Sequence, residues 1–207
     1  TGQFMPFLLL ILGCIGLSIS CIGLHIPLIH QFDTSTIVWI ASHRNAYLNA
    51  ITVVMSVLGG LPSTLIISGI GCLILSKSKK YTEIWFVLLS ITGSAALGWL
   101  LKYAIDRPRP DEVYRMVETY GASFPSAHSI YAAVLGCSVM FIFRRHKQAK
   151  LFIMLACFWL VCMGLSRIYL AAHYPTDVLA GWGIGLIWTT FVWFVLSHYA
   201  LKRNKLF

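Results

Sequence analysis

The chain has 207 residues, 58% of them hydrophobic and only 11% charged, with a formal net charge of +9. A soluble domain carries about a quarter charged residues. Here the apolar residues fall in long blocks of about 20, enough to cross the hydrocarbon core of a bilayer, so an aqueous globular domain is excluded. The positive residues are spread in short clusters and do not build the single patch that a nucleic acid would need, so no nucleic-acid partner is expected.

Taken in chain order, the apolar blocks predict six spans in one domain over residues 1–207. The first runs from about Phe4 to Leu24. It starts almost at Thr1 without a basic leading region, so no cleavable leader is expected. A more polar stretch follows, from His25 to Asn45. The second span runs from about Tyr47 to Leu75, and its Gly59-Gly60-Leu61-Pro62 predicts a kink or a short interfacial helix ahead of the true span. The third runs from about Ile84 to Ile105, the fourth from Ser126 to Phe143, the fifth from Leu151 to Leu165 and the sixth from Val178 to Leu201. The fourth and fifth are short, so their ends are expected to extend into the flanking polar motifs. Gly181, Gly183 and Gly185 suit close helix packing. The six cysteines lie within apolar blocks, without metal-ligand spacing, and read as small hydrophobes.

Basic residues set the orientation. Lys77, Lys79 and Lys80 follow span two. Arg144, Arg145, Lys147 and Lys150 follow span four, and Lys202, Arg203 and Lys205 follow span six. Six spans put these clusters on one side, which should be the cytoplasm. Arg44, Lys102, Arg107, Arg109, Arg115 and Arg167 fall on the other side with almost every acidic residue.

That outer side holds three polar groups at span ends. They are Lys102 with Arg109-Pro110 after six residues, Pro125-Ser126-Ala127-His128, and Ser166-Arg167 with His173 and Asp177 following. Ionisable residues at a membrane boundary are costly and usually functional. Lys102, Arg109 and Arg167 supply fixed positive charge, and arginine forks suit phosphate oxygens. Pro125 precedes a helix start, so Ser126, Ala127 and His128 should offer unpaired backbone N–H groups to an anion. His173 and Asp177 are four apart and should meet across one helical turn. The carboxylate would then fix the imidazole tautomer and leave the other nitrogen free to attack phosphorus. His128 would protonate the leaving oxygen and later deprotonate the water that cleaves a phosphohistidine.

These three groups resemble the signature motifs of the type 2 phosphatidic acid phosphatase (PAP2) family, in its integral-membrane lipid phosphatase branch. The resemblance covers Lys102 to Asp177 and matches in order, spacing and side of the membrane. It implies phosphate binding by Lys102, Arg109, Ser126, Arg167 and the backbone at Ala127. It also implies His173 as nucleophile, Asp177 as its partner, His128 as acid and base, and catalysis without a metal or other cofactor. Where the family usually has glycine this chain has Ala127, which keeps the N–H and adds a methyl beside the phosphate. Soluble vanadium-dependent haloperoxidases share the motifs, but this chain is too hydrophobic for that branch.

Each residue alone has a plainer reading. Lys102 and Arg109 could anchor a span end, Ser126 could only cap a helix, and Arg167 could bridge to Asp177. Their joint spacing across three segments outweighs these. Asp106, Asp111, Glu112 and Glu118 share no metal-ligand spacing and read as loop charges, with Asp106 pairing Arg107 or Arg115. The expectation is an all-α bundle of six transmembrane helices in the cell membrane, its active site at the non-cytoplasmic end, facing the periplasm or cell exterior. The expected partners are membrane lipids and a lipid phosphomonoester or pyrophosphate. Undecaprenyl pyrophosphate and phosphatidylglycerol phosphate are favoured over phosphatidic acid and diacylglycerol pyrophosphate. A lipid phosphotransferase with the same nucleophile, or a phospholipid-binding or transport protein, are the alternatives.

Overall fold

The structure, a computed structural model, describes residues 4–203, with side chains described through residue 199. It contains helices α1 (Phe4–Gly23), α2 (Pro27–Ser42), α3 (Ala46–Leu58), α4 (Leu61–Lys77), α5 (Tyr81–Ile105), α6 (Ala127–Ile142), α7 (Ala149–Tyr169) and α8 (Pro175–Arg203). A single 3-10 turn at Glu112–Tyr114 lies between α5 and α6, and there is no strand among the described residues. Of the third basic cluster, Lys205 and the side chains of Lys202 and Arg203 lie outside the described residues.

The helices are built inside out relative to those of a soluble bundle. Along α1, Phe7, Ile11, Ile15 and Ile22 face outward, whereas Gly13, Gly16, Ser20 and Gly23 are buried. Lipid tails are as apolar as these side chains, so the large residues gain nothing by turning inward. Small residues do, because they let backbones approach. α8 is the central strut and packs on α1, α5 and α6. Its glycines divide between two neighbours. A Cβ at Gly183 would lie 2.8 Å from the Gly13 carbonyl oxygen of α1, and one at Gly181 would lie 2.6 Å from the Ser126 carbonyl oxygen at the start of α6. At the other end of the bundle Phe141 stacks on Trp193 at 4.8 Å between centroids, and Phe86 meets both edge-on.

Helices α1, α5, α7 and α8 are each long and apolar enough to cross a membrane. The pair α3 and α4, bent by 59°, passes the same test as one broken span. The protein is thus a multi-pass membrane protein. The break falls at Gly59 and Gly60, where the sequence predicts it. α7 extends past Leu165 through Arg167 to Tyr169, as its short apolar block requires. α6 does not lengthen comparably. Its 16 residues span about 24 Å, short of the roughly 30 Å hydrocarbon core. Eleven of them are buried against neighbouring helices, so protein, not lipid, sets its length. The stretch expected only to be polar contains helix α2, which packs on α7, α8 and the 3-10 turn.

Close approach at Gly181 has a measurable consequence. Gly181→Ala should destabilise the bundle by about 1–3 kcal/mol through overpacking against Ser126, seen as a lower unfolding temperature in detergent. An unchanged temperature would mean that α6 shifts freely.

Candidate active site

α7 ends in a Schellman motif that delivers His173. The N–H of Ala171 donates to Ile168 O at 2.9 Å and that of Ala172 to Arg167 O at 3.1 Å, the two bonds that define this cap. Ala171 adopts φ 52°, a left-handed conformation that favours glycine. Two residues later α8 starts with Pro175 in its first turn. Asp177 is its third residue and reaches back to accept the Tyr174 N–H at 2.9 Å, as the carboxylate of a capping box does. The expectation that His173 and Asp177 share a helix is corrected: His173 precedes α8, and capping by Asp177 brings the two side chains near. His173 Nδ1 lies 3.7 Å from Asp177 Oδ2, outside hydrogen-bond range, and makes no other polar contact.

Asp177 is fully buried and heavily used. Arg107 donates to its Oδ1 at 2.5 Å, and Ser123 donates to its Oδ2 at 2.5 Å. Arg107 also donates to Asp33 Oδ2 at 2.7 Å and lies over the Tyr174 ring at 4.3 Å. Asp33, buried on α2, accepts the Thr176 N–H at 3.2 Å. Burial alone would lower Arg107, but Asp177 and Asp33 outweigh it and raise its pKa. The predicted pairing of Asp106 with Arg107 or Arg115 is therefore wrong. Arg107 takes the two buried carboxylates, because a buried charge left unpaired is far costlier than an exposed one. Arg115 lies 3.8 Å from Glu112 instead. Asp106 caps α5 with φ 44°. Arg167 does not bridge to Asp177 either; its guanidinium donates to Ser56 Oγ at 2.5 Å.

Lys102, Arg109, Ala127, His128, Arg167 and His173 line one cavity of about 260 Å³. It lies at the bundle end away from the turns that carry Lys77–Lys80 and Arg144–Lys150. Lys102 is only 7% exposed, so it is no outward-facing anchor. Its ammonium donates to Ala122 O at 2.5 Å. Arg109 donates to the carbonyls of Gly121 (2.8 Å), Tyr120 (2.8 Å) and Ala172 (2.7 Å). Gly121, at φ 66°, turns the loop so that three successive carbonyls face these two cations. Burial draws Arg109 down to about 10, still charged near neutral pH. Arg109 NH1 lies 3.4 Å from His173 Nε2. A guanidinium can only donate, so the Nε2 lone pair faces Arg109 at the cavity wall and the proton sits on Nδ1, toward Asp177. Burial, aided by Arg109 and opposed by Asp177, pushes His173 down to about 3.

At α6, Ser126 is the N-cap and accepts from Ser129 N at 3.4 Å and Ser129 Oγ at 2.9 Å. It is fully buried and stands behind the cavity wall. Ala127 and His128 are the first two helical residues, and helix geometry leaves their N–H groups without intrahelical partners. His128 Nε2 lies 3.0 Å from the Ser56 carbonyl oxygen. Among the described residues no three His, Cys, Asp or Glu side chains are grouped to hold a metal ion. Asp33, Ser123 and Ser56 carry no motif in the sequence, and Arg107 reads there only as an outer-side charge. Asp33, the one acidic residue between His25 and Asn45, was the available signal, since a carboxylate close to the membrane needs a partner.

A family model of the PAP2 superfamily matches residues 83–200. The chain belongs to the PAP2 superfamily. This PAP2 protein is 34% identical over 115 residues to phosphatidylglycerophosphatase B of Bacillus subtilis, covering 52% of this chain and 56% of that protein. It is 31% identical over 152 residues to undecaprenyl-diphosphatase BcrC of Bacillus subtilis, covering 70% and 74%. The crystal structure of a transmembrane PAP2 type phosphatidylglycerolphosphate phosphatase from Bacillus subtilis superposes with a TM-score of 0.76 at 26% identity, over 97% of this chain and 98% of that one. The chain spans about half the length of the first curated relatives it matches.

Two measurements test this geometry. Arg107→Ala should cost about 3–5 kcal/mol of stability by leaving two buried carboxylates unpaired, read as a fall in unfolding temperature; a change under about 1 kcal/mol would refute that role. In a histidine NMR titration of the detergent-solubilised protein, His173 should stay neutral from about pH 8 to about pH 5, although an unperturbed histidine titrates near 6.5. Its folded value lies below the unfolded one, so its contribution to stability is complete above about pH 6.5 and is lost as the pH falls toward 3. An inflection near 6.5 for His173 would show that the ring is open to water.

Proposed function

We propose that this protein is an integral-membrane lipid phosphatase that hydrolyses a lipid phosphomonoester or pyrophosphate through a phosphohistidine at His173, without a metal ion. The observation that carries this reading is the convergence of Lys102, Arg109 and Arg167 on one cavity with the unprotonated Nε2 of His173. Three cations suit a phosphate dianion and oppose a metal ion. His173 Nε2 attacks phosphorus as the bond to the lipid oxygen breaks, and His128 gives that oxygen a proton. Water then attacks phosphorus as His128 takes its proton, the phosphorus–nitrogen bond breaks, and phosphate leaves with His173 Nε2 restored. Asp177 orients His173. The loose 3.7 Å contact is of the kind that tightens when substrate fills a site. The N–H groups of Ala127 and His128 complete the phosphate cradle, with Ser126 fixing the helix start that presents them.

The lipid tail finds an apolar wall below the cations, made by Leu61, Ala95, Gly98, Trp99, Ile130 and Tyr131 of α4, α5 and α6. We count α6 and the bent α3–α4 pair as spans, six in all, and the basic residues of the opposite turns support a site on the non-cytoplasmic side. Relatives named for phosphatidylglycerophosphate and undecaprenyl diphosphate favour those two lipids as substrates.

Phosphate release from a panel of lipid phosphates in detergent, with and without EDTA, tests the proposal. Unmodified protein should release phosphate from at least one lipid regardless of EDTA, and His173→Ala should lower kcat by about 10⁴-fold or more. Normal turnover by the variant would sink the covalent mechanism, and turnover that depends on an added lipid acceptor would mean a phosphotransferase.

A further inference from the structure

A continuous helix from Ala46 to Lys77 would pair the Ser56 carbonyl with the N–H of residue 60, four positions on. The break prevents this. Gly60 is extended (φ −69°, ψ 165°), and its N–H turns to Val57 O at 3.4 Å. Pro62 follows and has no N–H to continue the ladder. The Ser56 carbonyl is thus an orphan acceptor at a helix end inside a membrane protein, where irregular backbone is tolerated only if it is buried or lines a cavity. His128 Nε2 meets it at 3.0 Å, and the Ser56 hydroxyl accepts from Arg167 at 2.5 Å. Neighbouring Gly59 keeps the place open. A Cβ there would run into Met163 and lie 3.3 Å from His128 Cδ2.

We propose that Ser56, freed by the break between α3 and α4, is a positioning residue that holds His128 through its carbonyl and Arg167 through its hydroxyl. The proposal rests on the phosphatase reading. A carbonyl can only accept, so His128 keeps a proton on Nε2 throughout, and Nδ1 carries the proton given to the leaving oxygen and is bare when the ring takes a proton from water. The bond strengthens as the ring becomes charged, since it is then charge-assisted. The two histidines are oriented through opposite nitrogens: Nδ1 of His173 by Asp177 and Nε2 of His128 by Ser56.

The test compares kcat/KM for a lipid phosphate and for p-nitrophenyl phosphate, whose leaving group needs no protonation. In the double variant Gly60→Ala/Pro62→Ala, the helix can close and reclaim the Ser56 carbonyl. Its kcat/KM should fall by about 100-fold for the lipid but by less than about 10-fold for the nitrophenyl ester, as in His128→Ala. Ser56→Ala keeps the carbonyl and loses only the Arg167 contact, so KM should rise about 10-fold for both substrates. Equal losses for both substrates in the double variant, or no loss, would overturn the proposal. A ¹⁵N spectrum of the histidines in unmodified protein supplies a readout that needs neither activity nor a folded variant. A hydrogen-bonded Nε2–H on His128 is expected, and the Nδ1–H tautomer would overturn the assignment. If unmodified protein releases phosphate from neither substrate, the phosphatase reading fails, while that spectrum still decides the contact.

Discussion

The buried pairing of Asp177 with Arg107 is the interaction on which the rest of the site depends. Asp177 lies within the first turn of α8, Arg107 in the connection after α5, and Asp33 on α2. One guanidinium spans both carboxylates, so three segments distant in sequence are fixed to one point. The carboxylate that lies beside His173 is also the one that caps α8 and binds Ser123. Desolvating it is expensive, and only the full set of partners compensates. The site is therefore held by its electrostatics as much as by helix packing. α2, which contributes no group to the cavity lining, is tied to it through Asp33.

Helix packing supplies the second constraint. Lipid gives the large apolar side chains no reason to turn inward, so small residues decide where helices touch. Gly183 seats α8 on α1 and Gly181 seats it on the first residues of α6. The Ser126 N–H donates to Asp177 O at 3.0 Å. The start of α6, with its unpaired N–H groups, is thus tied directly to the helix that carries Asp177. α6 can be shorter than the bilayer because its neighbours shield it. Its position between α5, α7 and α8 lets both of its ends be set by protein contacts.

How legible all this was in the sequence follows from the range of the interactions involved. The apolar helices α1, α5, α7 and α8, the break at Gly59-Gly60 and the cluster of Lys102, Arg109, His128, Arg167 and His173 could be read because each rests on local composition or fixed spacing. Local signals also misled. Four-residue spacing suggested that His173 and Asp177 share a helix, but Pro175 starts α8 after His173. Neighbouring opposite charges suggested Asp106 with Arg107, whereas Arg107 pairs with residues 70 and 74 positions away. Such pairings obey burial and desolvation, which depend on the folded chain. Ser126 suits both a phosphate ligand and a cap, and its bonds to Ser129 show the cap.

The same reasoning explains why polar backbone groups gather at this end of the bundle. Each helix end leaves unpaired N–H or C=O groups that hydrocarbon cannot satisfy. Here they pair with functional side chains. The carbonyls of Tyr120, Gly121 and Ala122 take Arg109 and Lys102, that of Ala172 takes Arg109, and that of Ser56 takes His128. Cations and imidazoles that would be costly to bury alone are thereby held in place by carbonyls that would themselves be costly to bury alone. On the proposed function, a phosphate entering the cavity meets donors whose directions are already set, so little ordering remains at the moment of binding, and the field of Lys102, Arg109 and Arg167 acts on the charge that develops on the phosphoryl oxygens.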